Sequence, residues 1–173
     1  TIFMVLHVVH PWTYKQIKDT LHFGPIERFR ERDSKASKLI TDALDVGHKV
    51  CLHYLATDPI NNLIAESALQ ADPSYKVLFN ERVQRVPSSE KGIPLSLEGL
   101  NLKEDMFFIG GLTERCLGNS MKVFRVLVKN NFGIYYVPEI CVSGNRKELS
   151  LTEKELKGMG VKEISYEGLL KRF

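Results

Sequence analysis

Strands and helices alternate almost without exception along this 173-residue chain. The alternation predicts an α/β domain with three layers, α/β/α, around a Rossmann-like, six-stranded, mainly parallel sheet. Three observations carry that expectation. Short β-branched or apolar runs of strand length recur, segments with apolar residues at helical spacing lie between them, and Asp105–Ile109 is apolar after its first residue, as a strand buried on both faces should be. There is no internal repeat and no low-complexity tract, so residues 1–173 read as a single domain large enough to bury a sizeable core.

Ile2–Val9 is the first strand, closed by Pro11. Ser34–Val46 carries Ala36, Leu39, Ile40, Ala43 and Leu44 on one helical face, with Asp33 or Ser34 as its cap and Gly47 at its end. Lys49–Ala56 is the second strand. Pro59 then opens a helix with an apolar stripe of Ile60, Leu63, Ile64, Ala68 and Ala71, for which Asp58 is the N-cap. Tyr75–Phe79 reads as the third strand and Asn80–Gly92 as a polar surface loop. Leu95–Leu100 reads as a helical turn, Asp105–Ile109 as the fourth strand, and Thr113–Asn130 as a long helix whose inner face is Leu117, Met121, Phe124, Leu127 and Val128. Gly133–Val137 is the fifth strand, Leu151–Lys157 a helix opened by Thr152, Val161–Ser165 the sixth strand, and Tyr166–Phe173 a closing helix.

Composition removes several classes of function. The 24 basic and 21 acidic residues nearly balance, and the densest basic stretch, Glu27–Arg32, interleaves acids with bases as a solvated face does. No basic block with interleaved aromatics suggests nucleic acid as a partner. The first apolar run is too short to span a membrane and lacks the basic flank of a signal peptide. Cys51, Cys116 and Cys141 have neither disulfide-framework nor metal-ligand spacing, which suits a reducing, cytoplasmic setting. No glycine-rich phosphate loop follows any strand, so no nucleotide cofactor is expected.

The segment "FFIGGLTERCLGNSMKVF", Phe107 to Phe124, carries the most chemistry. With Thr113 as N-cap, Cys116 falls in the first turn of a helix, where unpaired N–H groups and the positive end of the macrodipole favour a thiolate and Arg115 adds to them. Gly110 and Gly111 permit unusual backbone geometry beside the thiol. The competing reading is a small, buried, inert cysteine. Cys51 and Cys141 read as core.

"IGGLTERCL", a long helix and then "GIYYVPEICVS" resemble the isochorismatase-like cysteine hydrolases, which include nicotinamidases and related amidases. Gly110 or Gly111, Thr113 and Cys116 match the family's Gly-x-x-Thr-x-x-Cys spacing, and Glu139 lies near its acidic position. The first strand, "VCLHYLATDP" and "VKEISYEGLL" agree in order. The resemblance implies a cysteine nucleophile at Cys116, an oxyanion hole from the backbone N–H groups of Leu112 and Cys116, a cis Gly111–Leu112 peptide, and a small amide or related metabolite as substrate, with Thr113 beside its site. Trp12, just after the first strand, reads either as a residue lining that pocket or as an exposed or core aromatic.

Two positions depart from the family pattern. His7 stands where the family has its aspartate base, and Asn80 or Glu81 stands at the place assigned to its lysine. A Cys116/His7 dyad would restore a base, since imidazole titrates near neutral pH; a satisfied core histidine is the alternative for His7. Lys91, in the polar loop, is a candidate to replace the missing ammonium if the loop reaches the site. His10 has no distinguishing feature. Asp58 has no histidine following it, so no metal site is expected. The sequence therefore carries two functions: a divergent cysteine hydrolase, or an altered, inactive member of the fold that binds a ligand or a protein partner. Homo-oligomers are compatible with either.

Overall fold

The computed structural model of the protein describes residues 4–11 and 26–173. Among them, β1 (Met4–Val9), β2 (Lys49–Leu55), β3 (Gln84–Ser88), β4 (Asp105–Gly111), β5 (Ile134–Val142) and β6 (Lys162–Glu163) form one sheet in the order β3-β2-β1-β4-β5-β6. Every pairing is parallel, so the sheet is wholly rather than mainly parallel. The described helices are α1 (Ile26–Val46), α2 (Pro59–Ala71), α3 (Gly118–Leu127), α4 (Arg146–Gly158) and α5 (Tyr166–Leu170). The chain builds outward from β1 to β3 and then returns to lay β4 on the other side of β1. The carboxyl ends of β1 and β4 are therefore the point where strand order reverses, the place where such sheets bind ligands.

Alternation along β1 divides the core. Met4, Leu6 and Val8 face Leu39, Ile40 and Ala43 of α1. Val5 and Val9 face the other way, towards Met121 and Phe124 of α3 and Leu156 of α4. Both faces of a central parallel strand are thus covered, which is why β1, β2 and β4 read as near-continuous apolar runs.

The third strand is not where the sequence suggests. Lys76–Phe79 is a single 3₁₀ turn, and Tyr75 before it is buried because its hydroxyl donates to Asp33 Oδ1 at 2.6 Å. The true β3 lies inside the expected loop. It is a short edge strand in which only Val86 and Ser88 are buried, so its apolar signal is weak. Asn80 and Glu81 are exposed and precede β3, and its carboxyl end holds Ser88. Their assignment to the end of the third strand is corrected accordingly.

Helix boundaries shift for identifiable reasons. α1 begins at Ile26, and Asp33 is an interior residue rather than a cap: it accepts from Arg32 Nε at 2.9 Å as well as from Tyr75, and that pairing lets both charged groups be buried. Arg32 is therefore core, not part of a solvated face. α4 starts before Leu151, capped by Asn145, whose side chain accepts from Lys147 N and Glu148 N. Residues Leu97 to Leu100 form a turn, not a helix. The register between β4 and β5 jumps from Phe108 opposite Tyr136 to Gly110 opposite Cys141. This bulge, at Pro138 which cannot donate to the ladder, extends β5 well beyond the expected Val137.

α2 has the expected span, and Ile60 N donates to Asp58 Oδ1 at 3.1 Å as an N-cap should provide. Its apolar stripe is not inside, however. Ile60, Leu63 and Ile64 are 73%, 67% and 61% exposed, and the helix buries Leu69 instead.

Candidate active site

The segment after β4 is built on tight backbone contacts. Gly110 has φ +120°, and a Cβ there would lie 2.0 Å from the Val9 carbonyl oxygen, so only glycine fits. The Gly111–Leu112 peptide is cis. Residues Thr113–Leu117 then form a π-type turn, interrupted at Arg115 (φ −131°, ψ −109°), before α3 begins at Gly118. The single long helix expected from Thr113 is thus a turn and a helix. Leu112, not Thr113, occupies the cap position. The Thr113 hydroxyl donates to the Val142 carbonyl at 3.2 Å, tying the turn to β5.

Cys116 lies in this turn, immediately before α3. Its thiol donates to the Glu90 carbonyl oxygen at 3.1 Å. The loop that supplies that carbonyl is seated firmly: Asn119 Nδ2 donates to the Lys91 carbonyl at 3.0 Å, and a Cβ on Gly92 would meet Cys116 O at 2.3 Å. Burial pushes the Cys116 thiol above its ordinary pKa, and its own backbone N–H and Arg115 only partly offset that. The lowered pKa expected from the helix terminus is reversed because desolvation of the thiolate outweighs the local positive field. Burial takes Cys51 and Cys141 further, each to about 12.

His7 sits in the middle of β1, fully buried. Its Nδ1 lies 2.7 Å from His53 Nε2, and its ring stacks on Phe108 at 4.6 Å and tilts against Phe124. Its Nε2 has no hydrogen-bond partner, so His7 and Cys116 are not hydrogen-bonded to each other. Burial drives the His7 pKa down to about 3, and the same cause, followed by the charges of His7 and His10, takes His53 well below the usual range.

Of the remaining sequence candidates, Trp12 lies outside the described residues. Leu112 offers its backbone beside Cys116. Lys91 contributes its carbonyl, as described, and its side chain is in no ion pair among the described residues. Glu139 accepts from Tyr166 N at 2.9 Å and pairs with Lys35 at 3.8 Å, an anchor for the start of α5. No group of three metal-ligating side chains gathers among the described residues, and none of the described helices is long and apolar enough to cross a membrane.

Sequence reasoning missed three residues. His10 follows β1 with a positive φ of 39°, and its Nε2 lies 2.6 Å from Ser88 Oγ. His53 pairs with His7. Glu114 accepts from Gly144 N at 2.6 Å and Asn145 N at 3.1 Å, fixing the loop before α4. For His10 the His-Pro step at a strand end was the available signal. For the other two the partners are 46 and about 30 residues away, so nothing local announces them.

No family model matches the sequence, and no curated protein does. Solved structures do match. The MAR1 ribonuclease from Caenorhabditis elegans superposes with a TM-score of 0.70 at 11% identity, over 96% of this chain and 78% of that one. A nicotinamidase from Bacillus subtilis gives 0.68 at 11% identity, covering 95% and 100%. A protein described as an isochorismatase hydrolase, from Oleispira antarctica, gives 0.68 at 14% identity, covering 98% and 96%. With the parallel order β3-β2-β1-β4-β5-β6 and helices on both faces, these likenesses agree on one architecture: the chain has the isochorismatase-like hydrolase fold.

Proposed function

We propose that this chain is an altered member of the isochorismatase-like fold that serves as a ligand- or protein-binding module and does not hydrolyse substrates through a Cys116 thiolate. The observation that carries the reading is the bond from the Cys116 thiol to the Glu90 carbonyl. A carbonyl oxygen only accepts, so the bond requires a protonated thiol, and a thiolate would face that oxygen in repulsion. Two further features support it. His7, which the sequence resemblance set at the strand-end place of the family's base, lies in the middle of β1 instead and is occupied with His53 inside an aromatic cluster. The carboxyl end of β3, the family's lysine position, ends in Ser88. A catalytic triad acts as a unit, and loss of its members removes most of its rate.

The hydrolase reading is favoured by one observation. Cys116 sits directly before α3, beside the point where strand order reverses, in a fold whose solved examples include a nicotinamidase. Those examples also include a ribonuclease, so the fold alone does not select an activity.

Alkylation by iodoacetamide against pH, with the modified residue identified by mass spectrometry, separates the two. A midpoint at or above the free-cysteine value of about 8.5 is expected, together with no turnover in a panel of small amides. A midpoint below about 7, or Cys116-dependent amide turnover, would overturn the proposal.

A further inference from the structure

A cavity of about 330 Å³ opens between α2 and the carboxyl ends of β1 and β2. Its apolar wall includes Leu55, Ile64, Ala65 and Leu69, and its polar lining includes His10, Asn62 and Glu66, whose carboxylate is paired with Arg85 at 3.0 Å. Cys116 is not among its described lining residues. The exposed Ile60 and Leu63 continue the apolar surface along the outside of α2. An apolar cavity with few polar groups at the strand ends is the usual form of a small-molecule site.

The chemistry of the site follows from His10. Ser88 has one hydroxyl proton, and its Oγ donates that proton to the Tyr54 carbonyl at 3.1 Å. The one arrangement that makes both contacts hydrogen bonds has His10 Nε2–H donating to Ser88 Oγ at 2.6 Å. Burial lowers the His10 pKa to about 4, so at neutral pH the ring is uncharged and its Nδ1 keeps a lone pair. That Nδ1 has no hydrogen-bond partner among the described residues, and it is not one of their sealed, unpartnered atoms. The backbone holds the ring in place: His10 has the left-handed φ of 39°, its N–H donates to His53 O at 3.2 Å, and Pro11 follows. A left-handed histidine is uncommon, and such strain persists where surrounding structure enforces it.

We propose that this cavity binds a small, largely apolar molecule carrying one N–H or O–H donor, with the donor bonded to His10 Nδ1. The apolar wall supplies the burial, and the fixed imidazole tautomer supplies the selection for a donor over an acceptor. Cys116 is not among the described residues that line the cavity, and binding there does not depend on whether Cys116 is a nucleophile.

Indole and 1-methylindole test this, because they share a shape and differ in the one N–H. Binding to the whole chain is followed by amide chemical shifts, with indole expected to perturb Leu55, Ala65 and Leu69 with a Kd on the order of 1 mM, as suits a fragment of this size. 1-Methylindole should bind about five-fold or more weakly, the loss of one hydrogen bond. His10→Phe should remove the difference between the two probes. Ser88→Ala, which releases the tautomer, should reduce it while leaving the cavity wall intact. Ala65→Trp, on the helix surface, should abolish binding of both without touching His10. Equal affinity of the two probes for the parent, no binding of indole up to its solubility, shifts located elsewhere, or unchanged binding in Ala65→Trp would each overturn the proposal.

Discussion

His7 and His53, from adjacent parallel strands, meet with Nδ1 of one 2.7 Å from Nε2 of the other, both rings fully buried. One hydrogen bond is shared, and His7 Nε2 and His53 Nδ1 are left without partners. The rings lie against Phe108 and Phe124, so a proton added to either would create charge in an aromatic layer. An imidazole in that setting resists taking a proton from a neighbouring thiol. His7, the base candidate read from the sequence, lies in the middle of β1 and serves there as a packing element.

The first prediction concerns acid. His7 is held at a pKa of about 3 and His10 at about 4, with His53 lowered as well, all chiefly by burial. Above pH 6.5 these groups are neutral in both the folded and unfolded states and contribute no pH dependence. As pH falls through 6.5 the unfolded chain binds protons that the folded chain refuses, so stability falls with pH down to about 4. Each such histidine contributes up to about 1.4 kcal/mol per pH unit across that window. Urea midpoints measured from pH 7.5 to 4 should fall accordingly, and His7→Phe should show a shallower slope. A flat profile would mean that the pair is charged or hydrated in solution.

The second prediction tests what holds the Cys116 thiol. A Cβ at Gly92 would lie 2.3 Å from Cys116 O and 2.7 Å from its Cα, at a φ of +79°. Gly92→Ala should therefore lift the loop, break the Glu90 contact and raise the alkylation rate of Cys116 several-fold. Gly47→Ala is the control: it has φ +92° but nothing within 4 Å. It should cost about 1 kcal/mol of stability from backbone strain alone and leave alkylation unchanged. Equal rates in the Gly92 variant and the parent would show that the loop does not guard the sulfur.

The legibility of the sequence follows the same division between local and distant causes. β1, β2 and β4 are read directly because burial on both faces makes them apolar runs, and the Cys116 turn is marked by Gly110, Gly111 and the helix after it. β3 escapes because an edge strand buries little: Arg85 is exposed and Pro87 half-buried. Reading the 3₁₀ turn Lys76–Phe79 as that strand sets its end at Asn80 and Glu81, which precede β3 instead of closing it. The apolar stripe of α2 is legible as a stripe while its exposure is not, since periodicity says which residues share a face and not what covers it. The state of the thiol depended on Glu90, 26 residues away, which no spacing in the Cys116 segment could reveal.

The third prediction follows from Glu114, one such distant partner. Its Oε1 accepts from Gly144 N and Asn145 N, and Asn145 in turn caps α4, so one carboxylate joins the Cys116 turn to the start of that helix. Hydrogen bonds to a charged acceptor contribute about 1.5–3 kcal/mol each, and both donors lose their partner together. Glu114→Ala should therefore cost about 2–4 kcal/mol, with faster amide exchange at Gly144 and Asn145 before any change in β4. Glu114→Gln keeps a carbonyl oxygen in the same place and should recover part of the loss. If the alanine variant unfolds at the parent's urea midpoint, the α4 terminus is held by its own Asn145 cap and the link to Cys116 has no energetic weight.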